Sequence, residues 1–171
     1  MSENSEARGA QEALAAHGLQ RKTPLPGWAN RAAEFDARSF GVDAWPAAVW
    51  QHELSQGFAT YVAYVESGVS TAGLPTIAAL GGVSHGVEAE ILTIAVAASR
   101  RGSGLGSLLL EDLISVAREH DAEVIFLEVR AKDLQTQAFY GRHGFEGVGR
   151  RRRYYVDDDA LIMRRDLRPE N

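Results

Sequence analysis

Bulky and small residues alternate from Phe58 to Val65, the period of a strand, and the pattern returns in Thr76–Val83 and Glu90–Val96 after a loop of serine, glycine and Pro75. A turn at His85-Gly86 joins the last two, so the three pack most simply as an antiparallel meander. At Leu105 the period becomes helical. Leu105, Leu108, Leu109, Leu113, Val116 and Ala117 form one apolar stripe, Glu111, Asp112, Arg118 and Glu119 lie opposite, and the pattern stops near His120-Asp121. Glu123–Arg130, dense in β-branched and large apolar residues, is expected to be a strand covered on both faces and parallel to its predecessor. Asp133 is placed to cap a short helix carrying Ala138, Phe139 and Tyr140, which Gly144 ends. Phe145–Val156 and Ala160–Asp166 read as a closing hairpin with Asp157-Asp158-Asp159 as its loop.

Ahead of the meander, Leu19–Thr23 reads as a short edge strand stopped by Pro24 and Pro26. Trp28, Ala32 and Phe35 have helical spacing within Gly27–Arg38, and a second helix from Pro46 to about Ser55 is expected to turn Val49, Trp50 and Leu54 inward. Residues 1–18 are small, polar or charged and read as a mobile tail with at most a frayed alanine helix, which leaves residues 19–171 as a single domain.

A chain of 171 residues can bury a real core. The net charge of -5 argues against a general nucleic-acid binder and suits a basic partner better. With no cysteine there are no disulfides, thiolate metal sites or cysteine nucleophile, and the five histidines show no metal-ligand spacing, so no metal is expected. Met1–Ala16 has no long apolar run, which fits neither a signal peptide nor a membrane span and leads to a cytoplasmic expectation.

Candidate chemistry centres on Ile94-Ala95-Val96, which runs through Arg100-Arg101-Gly102-Ser103-Gly104-Leu105-Gly106-Ser107 into the helix. The first N–H groups of a helix are unpaired and carry partial positive charge, so a turn without side chains lets a phosphate sit on the backbone. Arg100 and Arg101 add positive charge, although a tight structural turn is an equally open reading of the glycines.

Together these features resemble the GCN5-related N-acetyltransferase (GNAT) superfamily. Arg101-Gly102-Ser103-Gly104-Leu105-Gly106 fits its pyrophosphate pattern, with Ile94-Ala95-Val96 at the family's distance before it and Ala138-Phe139-Tyr140 with Gly144-Phe145 after it. Leu127-Glu128-Val129-Arg130, Arg151-Arg152-Arg153-Tyr154-Tyr155 and Asp159-Ala160-Leu161-Ile162-Met163 are similar to the RimI branch, which acetylates the N-terminal alanine of a small-subunit ribosomal protein. The likeness covers about Asp43 to Leu167. It departs at Gly102, where many members carry arginine, and at Asp133, where the branch usually has asparagine.

The resemblance implies an α/β (α+β) fold: a mixed, mostly antiparallel sheet of six or seven strands, with a central parallel pair splayed at an acetyl-CoA site and about four flanking helices. It assigns Ile94, Ala95 and Val96 to the pantetheine and thioester, with the Val96 N–H as an oxyanion-type donor. Arg101, Gly102, Ser103, Gly104, Leu105, Gly106 and Ser107 fall to the pyrophosphate, and Asp133 to the cofactor's edge. Glu128, flanked by apolar Leu127 and Val129, becomes the general base, and Tyr140 the acid that protonates the leaving thiolate. Glu90 is the rival base, at the position used by histone-modifying members. Glu128 could instead pair with Arg130, and Tyr140 could be a core residue.

Trp45, Tyr154 and Tyr155 are candidate walls for a peptide end, with Glu90 beside them. Asp157–Asp159 and Glu88 could attract basic side chains beyond it. Packing of Trp45 and a solvated aspartate turn remain open, as does a solvated role for Arg150–Arg153 rather than contact with RNA. His143 reads as a helix cap or cofactor-edge residue. The expected partners are acetyl-CoA and the basic N-terminal peptide of a ribosomal protein, with no membrane and no direct nucleic-acid contact, for a monomer or weak homodimer. The alternatives are an enzyme for a small amine or internal lysine and a silent acyl-CoA-binding module.

Overall fold

A computed structural model describes residues 3–68 and 75–168 of the protein, with side chains from Arg8 onward. Its strands are β1 (Leu19–Lys22), β2 (Ala59–Glu66), β3 (Ile77–Ser84), β4 (Glu88–Val96), β5 (Val124–Arg130), β6 (Glu146–Arg151) and β7 (Ala160–Asp166). The helices are α1 (Glu3–Ala16), α2 (Ala29–Phe40), α3 (Ala47–Ser55), α4 (Leu105–Glu119) and α5 (Leu134–Arg142). One seven-stranded sheet runs in the order β1-β2-β3-β4-β5-β7-β6. Every neighbouring pair is antiparallel except β4 and β5, whose crossover is α4. The mixed sheet with its central parallel pair is the expected class, with five helices rather than about four.

Two apolar layers sandwich the first half of the sheet. On one face α4 buries Leu109, Leu110, Leu113 and Ile114 against Val62, Tyr64, Ile125, Leu127 and Val129. Gly81 lets it seat closely, since a Cβ there would lie 2.7 Å from Leu113 Cδ1. On the other face Ala32 and Phe35 of α2 and Trp50 of α3 cover Tyr61, Ala63, Val65 and Leu80.

Several local expectations change. Part of the stretch read as a tail is helix α1, whose Leu14 is buried with Leu19; Leu14 is the only large aliphatic residue in the helix, too little for a periodic signal. Pro46 precedes α3 as its extended cap rather than opening it, and Val49 lies on the outer flank, 38% exposed. The closing hairpin forms, but its second strand, β7, lies beside β5, and β6 ends at Arg151 so that a longer loop carries Tyr154 and Tyr155.

The strand β5 is not covered on both faces. Leu127 and Val129 are buried, whereas Phe126, Glu128 and Arg130 are only half-buried, because α2 and α3 pack over the strands on the other side of β4. The apolar stretch in the sequence conceals one open face.

The central pair opens. Pairing of β4 with β5 covers Glu88↔Val124, Ala89↔Ile125 and Glu90↔Phe126, yet β4 continues beside β3 as far as Val96. A register shift against β3, between Gly82↔Thr93 and Val83↔Ile91, places Leu92 as an extra residue where the parallel pairing stops. Such a bulge bends its strand. The result is a wedge-shaped gap between the C-terminal halves of β4 and β5.

Candidate active site

Hydrogen-bond alternation fixes which amides face that gap. Ala97 N–H donates to Ala78 O at 2.8 Å, so in the unbroken register that follows, Val96 and Ile94 point their N–H and C=O groups away from β3. Ile94 and Val96 lean on the α4 core, while Ala95 leans on the α2–α3 core. The Val96 carbonyl accepts from Arg101 Nε at 3.3 Å.

Beyond Val96 a 3₁₀ turn, Ala98–Arg100, leads into the glycines. Gly102 and Gly104 adopt φ of +74° and +87°, a region that side chains rarely enter. A side chain at the position of Gly102 would be strained in this turn, although the space around it is open. Gly104 is the N-cap of α4 without a side chain, and the first helical bond is Leu108 N–H to Gly104 O at 3.1 Å. The N–H groups of Leu105, Gly106 and Ser107 are therefore left without helical partners, as a phosphate cradle requires. Phe139 of α5 and Val96 both approach Gly106, at 3.7 and 3.8 Å from where its Cβ would be, so α5, β4 and the start of α4 meet here.

Arg100, expected to supply charge to the turn, points elsewhere: it bonds Glu66 at 3.2 Å and the His17 carbonyl at 3.4 Å. Ser103 Oγ turns back onto the Arg100 carbonyl. His143 closes α5, and its ring stands 3.0 Å from Ser107 Oγ and 3.1 Å from Glu111 Oε1, tying α5 to the first turns of α4. No sequence spacing signals that link. Asp133 caps α5, accepting from Thr136 N–H at 3.0 Å and its hydroxyl at 2.6 Å.

Across the gap, Glu128 faces a cavity of about 310 Å³ lined by Glu88, Ala89, Glu90, Phe126, Arg151 and Ile162. The two candidate bases thus share one cavity. Glu128 Oε1 pairs with Arg151 Nη1 at 3.0 Å, while Oε2 is buried without a hydrogen-bond partner. Burial and then the neighbouring Glu128 push the Glu90 carboxyl above its ordinary value, partly offset by Arg151. The contact between Arg151 and Glu128 was not legible in the run of arginines. Only strand register brings them together.

Tyr140 is 5% exposed, packed edge-on against Phe139 and Phe145. Burial holds its phenol well above the ordinary range, so the hydroxyl keeps its proton at neutral pH and can donate it in a hydrogen bond. Its core packing and a donor role are therefore compatible. Tyr155 hydroxyl reaches the Glu128 carbonyl at 3.5 Å, and burial, with Tyr154 and Glu128 nearby, pushes its phenol up to about 12. Tyr154 lies edge-on to it at 5.0 Å and is 48% exposed.

The loop bearing these tyrosines is held internally. Arg130 stacks 4.6 Å over Tyr155 and bridges Asp43 and Asp157. A second tie is the buried Asp158, which accepts from Lys132 N–H at 2.9 Å and Asp159 N–H at 2.8 Å. Asp159 pairs with Arg150 and accepts from Arg153 N–H. All three aspartates are engaged by their own chain, and they border a second cavity of about 640 Å³ that also includes Lys132, Arg150, Arg153, Tyr154 and Tyr155. Trp45 lines neither cavity; it packs 5.3 Å from Trp50, and its backbone N–H bonds Asp36 at 2.6 Å.

Comparison with known proteins fits this geometry. Residues 29–145 match the acetyltransferase (GNAT) family. The N-alpha-acetyltransferase RimI of Mycobacterium tuberculosis is 40% identical over 141 residues, which span 81% of this chain and 86% of that protein. The ribosomal protein bS18-alanine N-acetyltransferase of Escherichia coli K12 is 38% identical over 80 residues, 44% of this chain and 54% of that protein. In fold, the crystal structure of the ribosomal-protein-S18-alanine N-acetyltransferase from Escherichia coli matches with a TM-score of 0.74 at 23% identity, covering 90% of this chain and 96% of that one. A splayed parallel pair, a glycine-capped helix at its mouth and these relatives lead to one conclusion: the chain belongs to the GNAT family of acetyltransferases, within its RimI-like branch.

Proposed function

We propose that this chain transfers acetyl from acetyl-CoA directly to the N-terminal α-amino group of a protein, with the alanine-first end of a small-subunit ribosomal protein as its substrate. The observation that carries this reading is the opening of the central parallel pair, with the Val96 amide turned away from β3 on one strand and Glu128 lining a cavity with Glu90 on the next. The names of the RimI relatives support the substrate class.

Acetyl-CoA supplies the activated acetyl group, and the free amides at the start of α4 fit its pyrophosphate. Val96 N–H donates to the carbonyl oxygen as negative charge develops there. Glu128 accepts a proton from the α-ammonium, freeing the lone pair that forms the new C–N bond as the C–S bond breaks, and the second nitrogen proton passes to solvent as the amide forms. Tyr140 donates its hydroxyl proton toward the departing sulfur. Direct transfer with both substrates bound together fits a chain that has no cysteine to carry the acetyl group.

Incubation with acetyl-CoA and peptides varied at the first residue tests the reading. Alanine-first peptides should be acetylated fastest, and blocking the α-amine should abolish product. Acetylation of lysine in the blocked peptides, or cofactor binding without turnover, would replace it with the lysine-enzyme or silent-module alternative.

A further inference from the structure

Arg151 ends β6, and its guanidinium occupies the ground an amine would need in order to reach Glu128. Nη1 lies 3.0 Å from Glu128 Oε1, and the guanidinium carbon lies 5.1 Å from the centre of the Tyr154 ring. Two features separate this pair from a structural ion pair. First, it uses one carboxylate oxygen: Oε2 stays buried outside the pair, and the neighbouring Tyr154 phenol, pushed up by burial and then by Glu128, is a further polar group at the carboxylate. Second, it is lopsided: the Glu128 side chain is 12% exposed and that of Arg151 57%. The carboxylate is fixed in the cavity wall, whereas the arginine reaches in from solvent and has an aromatic face beside it on which to rest when it leaves.

We infer that Arg151 is a displaceable counter-ion, a positioning and selecting residue that the incoming α-ammonium replaces at Glu128. This rests on the reading of Glu128 as the proton acceptor. The exchange keeps the charge of the cavity constant, since one cation leaves as another arrives. It also favours the substrate, because a compact ammonium with three N–H donors can take the place at Oε1 that the guanidinium holds through Nη1. A blocked N-terminus brings no charge and leaves Arg151 in place. Glu88 and Glu90, lining the same cavity, add attraction for the cation on its way in.

The test compares the full chain with Arg151→Gln and Arg151→Lys, using an alanine-first peptide and acetyl-CoA. Arg151→Gln removes the competing cation, so peptide KM should fall about two- to fivefold, the range of an exposed ion pair, with acetyl-CoA KM unmoved. Arg151→Lys retains a cation and should stay near the wild-type value. Calorimetric titration of the peptide in the presence of CoA should show the same tightening for Arg151→Gln, and none when Glu128→Gln is already present. A peptide KM or Kd that rises or stays level in Arg151→Gln overturns the inference and makes Arg151 a peptide ligand or an idle surface residue. Failure of the underlying reading looks different: the wild-type chain would acetylate no α-amine, while the calorimetric comparison would still decide whether Arg151 yields to a cation.

Discussion

The two sides of the central gap are built from different materials. On the β4–α4 side the groups that face a ligand are backbone amides, set by a bulge, two left-handed glycines and the start of a helix. On the β5–β7 side they are side chains: Glu128, Arg151, Tyr154 and Tyr155, brought together by strand register and a pinned loop. A backbone site suits a ligand that never changes, since amides can be aimed at phosphate whatever the acceptor. A side-chain site can be retuned by single substitutions, and it is where the proposed proton transfer from the amine is placed. Gripping and reacting should therefore be separable by mutation.

Glu128→Gln gives the largest expected effect: kcat should fall about a thousandfold with acetyl-CoA affinity preserved, as measured by steady-state rates and calorimetry. Tyr140→Phe comes next, lowering kcat about a hundredfold with little change in either KM; the new ring fills the same space, so the melting temperature should hold. Gly104→Ala strikes the other side. Space is open there, but φ of +87° is costly for alanine, so acetyl-CoA should bind about five- to tenfold more weakly while kcat at saturation stays near wild type. A Gly104→Ala variant impaired in kcat alone would break the division between the two sides.

The smallest effect concerns stability. Because burial raises the Glu90 carboxyl above its ordinary value of 4.5, the folded state favours its protonated form. That contribution to stability is present below the ordinary value and is lost as pH rises through the raised one. Glu90→Gln, permanently neutral, should melt slightly higher than wild type at pH 7, within the about 0.5 kcal/mol typical of surface changes, and the gap should close near pH 4. A persistent gap in acid would show that Glu90 acts through packing.

What could be read from the sequence follows the same division. Gly102, Gly104 and the apolar stripe from Leu105 are local signals, legible within one turn of chain, and the strand-turn-helix they announce is present. Glu128 emerged only through the likeness to a family, and its contact with Arg151 joins residues whose strands meet through β7 between them. The open face of β5 was hidden because Ile125, Leu127 and Val129 make the strand apolar regardless of what covers Phe126 and Glu128. Trp45 and the three aspartates were singled out by residue type, yet packing against Trp50 and bonds within the loop account for where they lie. Composition reports which groups are available. Register decides which of them meet.

The most direct measurement uses one peptide with alanine first and a lysine several residues later, incubated with acetyl-CoA and the wild-type chain, with the site of acetylation mapped by fragmentation mass spectrometry. Acetyl on the α-nitrogen, lost in Glu128→Gln and retained in Glu90→Gln, is the predicted result. Acetyl on the lysine side chain, or an α-acetylated product that survives Glu128→Gln and disappears in Glu90→Gln, would contradict the account.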